Sequence, residues 1–167
     1  MPTEATPLDP IDLSLLARLT TAGRASWAEL GALVGLSAAA VADRVRSLEE
    51  RGAIQGYAAI LAPRSLGFDV LAFIALTLEH PRHRTGFLAR VAAVAEVQEC
   101  HHVVGDADYL LKVRCRDTAA LEILLSESIK GIPGVARTHT TLALSSTKET
   151  TAIALDTPPT VAKKKGR

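Results

Sequence analysis

Residues Leu36–Ile54 read LSAAAVADRVRSLEERGAI. Ser37 stands where an N-cap side chain would accept from the free amides of a first turn. Val41, Val45 and Leu48 then recur along one helical side, and Gly52 ends the run as a C-terminal glycine does. On a wheel of about 100° per residue, Ala39, Asp43, Arg46 and Glu50 fall opposite that stripe, with Ala40 and Ser47 beside them. One face is made for a core; the other faces outward and needs a use. Just upstream, Ser26-Trp27-Ala28-Glu29 has the capping-box pattern, and Leu30, Leu33 and Val34 give a second, shorter helix its apolar side before Gly35 closes it. Only Gly35, Leu36 and Ser37 join the two helices. That is the layout of a helix-turn-helix, in which the second helix is held across the first and projects from the body.

Further out on the N-terminal side, Asp9-Pro10 starts a helix well, because Asp caps free amides and Pro at the first helical position gives up an N–H that had no partner. Ile11, Leu15 and Leu19 follow at spacing four, and Gly23 ends the helix. Downstream, Ile54-Gln55-Gly56-Tyr57 reads as a short strand, which would make a winged variant with little wing. Ala62-Pro63-Arg64-Ser65-Leu66-Gly67 reads as a hinge, since Pro and Gly bracket a polar step between periodic segments.

Past the hinge the pattern changes. Residues 68–78 are rich in β-formers, residues 85–95 are helical with Phe87, Leu88 and Val91 inward, and strands follow over 97–104 and 109–115 around a Gly105-Asp106-Ala107-Asp108 turn. Asp117 or Thr118 then caps a helix carrying Leu121, Leu124, Leu125 and Ile129, and residues 135–146 form the last strand. The order βαββαβ predicts a ferredoxin-like α+β sandwich with both helices on one face of a four-stranded antiparallel sheet. Val70, Ala72, Ile74 and Leu76 lie on one side of the first strand, and Leu71, Phe73 and Ala75 on the other. Both faces are apolar, so a partner subunit is the simplest cover for the one without helices. The expected division is a winged helix-turn-helix over 1–61, a hinge over 62–67, the sandwich over 68–150 and a basic tail over 151–167.

The 167 residues suffice for two small cores, and the formal charge of +1 does not announce a nucleic-acid partner. The longest apolar run, Val70–Leu78, is far short of the roughly 20 residues a spanning helix needs. The N-terminus MPTEATPLDP has no basic or apolar segment of an export signal, so the cytoplasm is the default. Cys100 and Cys115 have no CxxC spacing; a turn centred between Asp106 and Ala107 sets Cys100 opposite Val113, so they are not facing partners. His101 and His102 are adjacent on a strand and point to opposite faces, which rules out a shared metal there. Neither a nucleophile–base set nor a phosphate-cradling glycine loop is present, and neither an enzyme, a cofactor nor a metal site is expected.

Taken together, LDPIDLSLLARLTTAGR (8–24), ELGALVGLSAAAVADRVRSLEERGAIQGY (29–57), VQECHHVVGDADYLLKVR (97–114) and GIPGVARTHT (131–140) resemble the Lrp/AsnC family of bacterial and archaeal transcription regulators. The resemblance spans about residues 8 to 148. It implies an N-terminal DNA-binding winged helix-turn-helix, a C-terminal effector-binding and oligomerisation domain, amino acids as effectors, and dimers that assemble into an octamer or other ring.

For double-stranded DNA the outer face of the second helix of the motif is the candidate reader. Ser37, Ala39 and Ala40 would let its N-terminus approach the floor of a major groove, with Asp43, Arg46 and Ser47 following. Arg46 is a candidate for a base or a phosphate, and Arg44 and Arg51 sit nearer the flanks where phosphates would run. The plainer alternative pairs these arginines with Glu49 and Glu50 on a solvated surface. Residues 1–62 hold five basic groups against seven acidic ones, a balance of −2, so phosphate attraction per subunit is modest. Asp43 would repel phosphate unless it accepts from a cytosine amine. Lys163, Lys164, Lys165 and Arg167 fit a solvated tail ahead of a DNA contact.

For the effector, two carboxylates and a glycine in the 105–108 turn can shape the turn or offer a negative end to an amine. The resemblance favours the second reading for Asp108, with Gly105 and Asp106 beside it, and adds Thr138 and Thr140 for the ligand's polar end. A second class of function is a small-molecule-binding assembly protein whose helix-turn-helix does not engage DNA, and an enzyme on the sheet comes third.

Overall fold

The computed structural model describes residues 7–155. The chain divides into two compact units, one formed by residues up to Ile60 with those from Thr150 on, the other Leu61–Glu149. The basic residues Lys163, Lys164, Lys165 and Arg167 lie outside the described residues.

The first unit is three helices: α1 (Pro10–Thr21), α2 (Trp27–Val34) and α3 (Ala38–Glu50). Each start carries its own cap. Asp9 accepts from the Asp12 amide at 2.8 Å while the Asp12 side chain reaches back to the Asp9 amide. Ser26 and Glu29 close the reciprocal box on α2, and Ser37 Oγ accepts from the Ala40 amide at 3.2 Å at the head of α3. Leu15, Leu30, Val41 and Val45 form the core, with Ile11, Leu19, Val34, Leu36 and Ile54 packed around it. Leu33, expected inside, is 41% exposed. The reason is Gly31, whose missing side chain lets the α2 backbone close on the turn. A Cβ there would sit 2.5 Å from the Leu36 carbonyl oxygen, and the Leu36 amide donates to the Gly31 carbonyl at 3.0 Å. The buried side of α2 is therefore Leu30–Gly31, and Leu33 turns out.

The short strand expected at Ile54–Tyr57 does not form; the four strands among the described residues all belong to the other unit. A strand needs a ladder partner, and none of the described residues of the first unit supplies one. Tyr57 instead donates its hydroxyl to Glu49 Oε1 at 2.9 Å, fastening the segment to the end of α3. The helix-turn-helix is thus present without a β wing.

The second unit is the expected sandwich: β1 (Val70–Leu78), α4 (Arg84–Ala92), β2 (Val97–His102), β3 (Tyr109–Cys115), α5 (Thr118–Ile123, continued as a π-helical turn over Leu124–Ile129) and β4 (Val135–Ala143). The sheet is antiparallel, ordered β2-β3-β1-β4. Ala72, Ile74, Leu76, Leu111 and Val113 meet Phe87, Val91, Leu121, Leu124 and Ile129 in one core. The π turn explains how Leu124 and Ile129, five apart, share that side. Leu88, expected inward, is 37% exposed. Cys100 lies opposite Leu111 rather than Val113, because the hairpin is centred between Gly105 and Asp106; a bulge between Val97 and Glu99 then shifts only the far end, where Val97 meets Val113. It still does not face Cys115.

On the face without helices, Phe73 is 36% exposed, and its neighbours across the ladder are Lys112 and Thr141. Lys112 is held between Glu99 (2.9 Å) and Glu149 (2.7 Å), and Arg114 takes Glu149 at 2.8 Å. Glu149 and then Glu99 hold the Lys112 ammonium above its ordinary range, and both carboxyls are held low in return, each chiefly by Lys112.

Candidate functional site

Helix α3 has two sides of opposite character. Val41, Val45 and Leu48 are essentially without solvent contact. Ala39, Asp43, Arg46 and Glu50 are exposed, and Ala40 and Ser47 are half-buried at the margins. The Ser37 hydroxyl is occupied as the cap, with its lone pair toward the Ala40 amide.

The arginines separate into different roles. Arg46, on the outer face, donates from Nη1 to Asp43 Oδ1 at 3.2 Å across one turn. Arg44 turns toward α1: its Nη1 donates to Asp9 Oδ2 at 2.7 Å and to Asp12 Oδ1 at 2.8 Å. Asp12 is the one buried charged residue among those described, with its side chain 8% exposed. Arg51 lies 4.0 Å from its other oxygen. The backbone amide of Asp12, and then the Arg44 guanidinium, hold the Asp9 carboxyl below its ordinary range; the two acids push Arg44 up. Arg44 thus ties α3 to the capped start of α1. Sequence periodicity had placed it among the flanking phosphate contacts, because its partners lie 32 and 35 residues away, beyond any local pattern.

In the second unit, Gly105, Asp106 and Asp108 lie at one end of the sheet. Asp108 Oδ2 accepts from the Leu78 amide at 2.7 Å, and the Asp108 amide donates to the Leu76 carbonyl at 2.9 Å. Thr138 stands opposite Leu76 at that end, while Thr140, opposite Ile74, lies two positions deeper. Arg137, which sequence reasoning missed, reaches from β4 to the Asp106 carbonyl at 3.4 Å and joins the turn to the edge strand. Asp108 thus shapes its turn, yet one bond to one oxygen leaves a carboxylate with lone pairs for an ammonium. A separate cleft of about 400 Å³ between α4 and β2, lined by Leu88, Val91, Val97 and Cys100 among others, includes none of these residues.

A capped helix-turn-helix with an outward-facing third helix, followed by an α+β sandwich, defines a two-unit DNA-binding transcription regulator. Comparison with known proteins agrees. The AsnC-type helix-turn-helix domain matches residues 8–49 and the Lrp/AsnC ligand binding domain residues 71–153. The leucine-responsive regulatory proteins of Salmonella typhimurium and Escherichia coli K12 are each 41% identical over 152 residues, covering 90% of this chain and 93% of theirs. A transcriptional regulator from Neisseria meningitidis, solved with L-methionine, superposes with a TM-score of 0.85 at 30% identity, over 90% of this chain and 98% of that one. The feast or famine regulatory protein of M. tuberculosis, also with L-methionine, gives 0.80 at 39%, over 86% and 96%. The chain belongs to the Lrp/AsnC family.

Proposed function

We propose that α3 enters the major groove of double-stranded DNA with Ala39, Ala40, Asp43, Arg46 and Ser47 toward the bases, and that Ser37 and Arg51 border the contact. Arg44 serves as the strut behind this face. The observation that carries the reading is the split of α3 into a sealed apolar side and an open polar side, with its N-terminus capped and free of bulky side chains. Because residues 1–62 are acidic on balance, affinity comes from several copies acting on one DNA, which multiplies weak contacts through effective concentration. A second copy covers the sheet face that carries the exposed Phe73, and dimers build the octamer or other ring.

The same protein responds to an amino acid, and Asp108 takes its ammonium group at the sheet end formed by Gly105, Asp106, Thr138 and Thr140. Support for an apolar amino acid comes from relatives: two were solved with L-methionine and others are named for leucine. The action is regulation at DNA rather than catalysis, in the cytoplasm. The test is duplex binding by fluorescence anisotropy over a salt series, with and without L-leucine or L-methionine. Affinity that falls steeply with salt and shifts with either amino acid is expected. Binding that is absent at low salt would sink the DNA reading, and identical curves with and without both ligands would sink the effector reading.

A further inference from the structure

The outer face of α3 carries an acid beside its arginine, and that pairing bears on what Arg46 recognises. Asp43 and Arg46 stand one turn apart, with side chains 73% and 66% exposed, joined by a single bond from Nη1 to Oδ1 at 3.2 Å. A surface pair of this kind adds little to the fold. Its effect is on what can approach.

Consider a phosphate first. The couple is neutral as a unit, and a phosphate brought to the guanidinium would also meet the Asp43 carboxylate, so the Coulomb attraction that makes a good backbone contact is largely cancelled. Now consider a base edge. A guanidinium has five N–H donors in a fixed fork, and the bond to Asp43 occupies one nitrogen, so the edge formed by Nη2 and Nε keeps the spacing that matches guanine O6 and N7. The carboxylate, an acceptor with lone pairs to spare, suits the exocyclic amine of a cytosine. A neutral, directional donor–acceptor couple fits the edge of a G·C pair and fits phosphate badly. The small residues Ala39 and Ala40, a turn earlier on the same side, let that edge come close.

From this we infer that Asp43 and Arg46 act together as a base-reading couple selective for G·C: Arg46 binds guanine with two hydrogen bonds, and Asp43 orients the guanidinium while accepting from a cytosine amine beside it. The inference rests on α3 entering the major groove as proposed above. It assigns Asp43 a positive role in specificity, where its charge alone would make it only an obstacle.

The experiment uses the full chain and a pool of randomised duplex DNA, with sites selected by the parent protein, Asp43→Ala, Arg46→Ala and Arg46→Lys. The parent should enrich a G·C pair at one position of each half-site. All three variants should lose that preference, by roughly 5- to 150-fold against other pairs, the range of one bidentate base contact, while preferences elsewhere in the site persist. For Arg46→Ala the slope of log affinity against log salt should match the parent, since no phosphate contact has gone. Trp27 fluorescence should give the same unfolding midpoint for all four proteins. Three results would overturn the couple: Asp43→Ala tightening on every sequence, as a mere repulsive charge predicts; Arg46→Ala weakening all sequences equally with a salt slope lower by about 1; or Arg46→Lys keeping the G·C preference. A parent protein with no salt-sensitive duplex binding would instead strike the underlying reading of α3.

Discussion

Replacing Arg44 by alanine tests whether the helix-turn-helix is held from behind by charge. The substitution removes the cation facing Asp9 and Asp12, and Asp12 is the critical partner because its side chain is only 8% exposed. Stripping the counter-ion from a fully buried acid costs about 3–5 kcal/mol, whereas an exposed pair contributes about 0–1 kcal/mol. Here Asp9 is 44% and Arg44 35% exposed, and Arg51 remains 4.0 Å from Asp12. The cost therefore falls between the limits, at about 2 kcal/mol. In a unit of this size each kcal/mol moves the midpoint by about 4–8 °C, so a fall of about 8–16 °C is expected. Trp27 is the sole tryptophan and lies in α2, so its fluorescence reports on this unit alone. Arg44→Lys, which keeps the charge but loses the fork, should fall between. A midpoint within about 2 °C of the parent would refute the strut. If duplex binding then also weakened with a salt slope reduced by about 1, Arg44 would be a phosphate contact after all.

Three further outcomes are expected. Gly31→Ala should destabilise the first unit by about 1–3 kcal/mol of overpacking, read as a lower Trp27 midpoint, and abolish duplex binding while the sheet unit unfolds as before; a gain in stability, the usual result of Gly→Ala inside a helix, would show that the turn is not tight at Leu36. Asp108→Asn keeps an acceptor for the Leu78 amide but removes the charge, so calorimetry should show at least about tenfold weaker binding of L-leucine or L-methionine without loss of sheet-unit stability; unchanged affinity would confine Asp108 to its turn. The Tyr57 phenol, buried in part and facing Glu49, is pushed up to about 12 from 10.0. A raised folded value means a contribution to stability that is complete below the unfolded value and lost as pH rises through the folded one. The first unit should therefore weaken between about pH 10 and 12, and in Tyr57→Phe this part of the alkaline loss should vanish in urea titrations read at Trp27.

Much of this was legible because it is local. Caps at Asp9, Ser26 and Ser37 and the stripe Val41, Val45, Leu48 are written within a turn or two of the residues they organise. The run of β-formers in β1 and the order of elements likewise set the sandwich. What failed depended on distant or absent atoms. Leu33 turns out because Gly31 has no side chain, and Leu88 turns out because α4 meets the sheet with Phe87 and Val91. The missing wing reflects the lack of a ladder partner, which a four-residue β-like run cannot reveal by itself. At the candidate sites, periodicity placed Arg46 and Asp43 on the outer face but not the bond between them. It could not see that Arg44 belongs to Asp9 and Asp12, nor that Asp108 is already bonded to Leu78 across the end of the sheet.

The four charges on the open sheet face have a bearing on handling the protein. Glu99, Lys112, Arg114 and Glu149 are joined to one another and sum to zero, beside the exposed ring of Phe73. The proposed covering of such a face by a second copy would release few counterions, so that association should be nearly indifferent to ionic strength, whereas DNA binding should depend steeply on it. Salt is then a selective reagent: at concentrations that strip the nucleic acid, sedimentation tests the proposed assembly of copies without its DNA, and that assembly should persist.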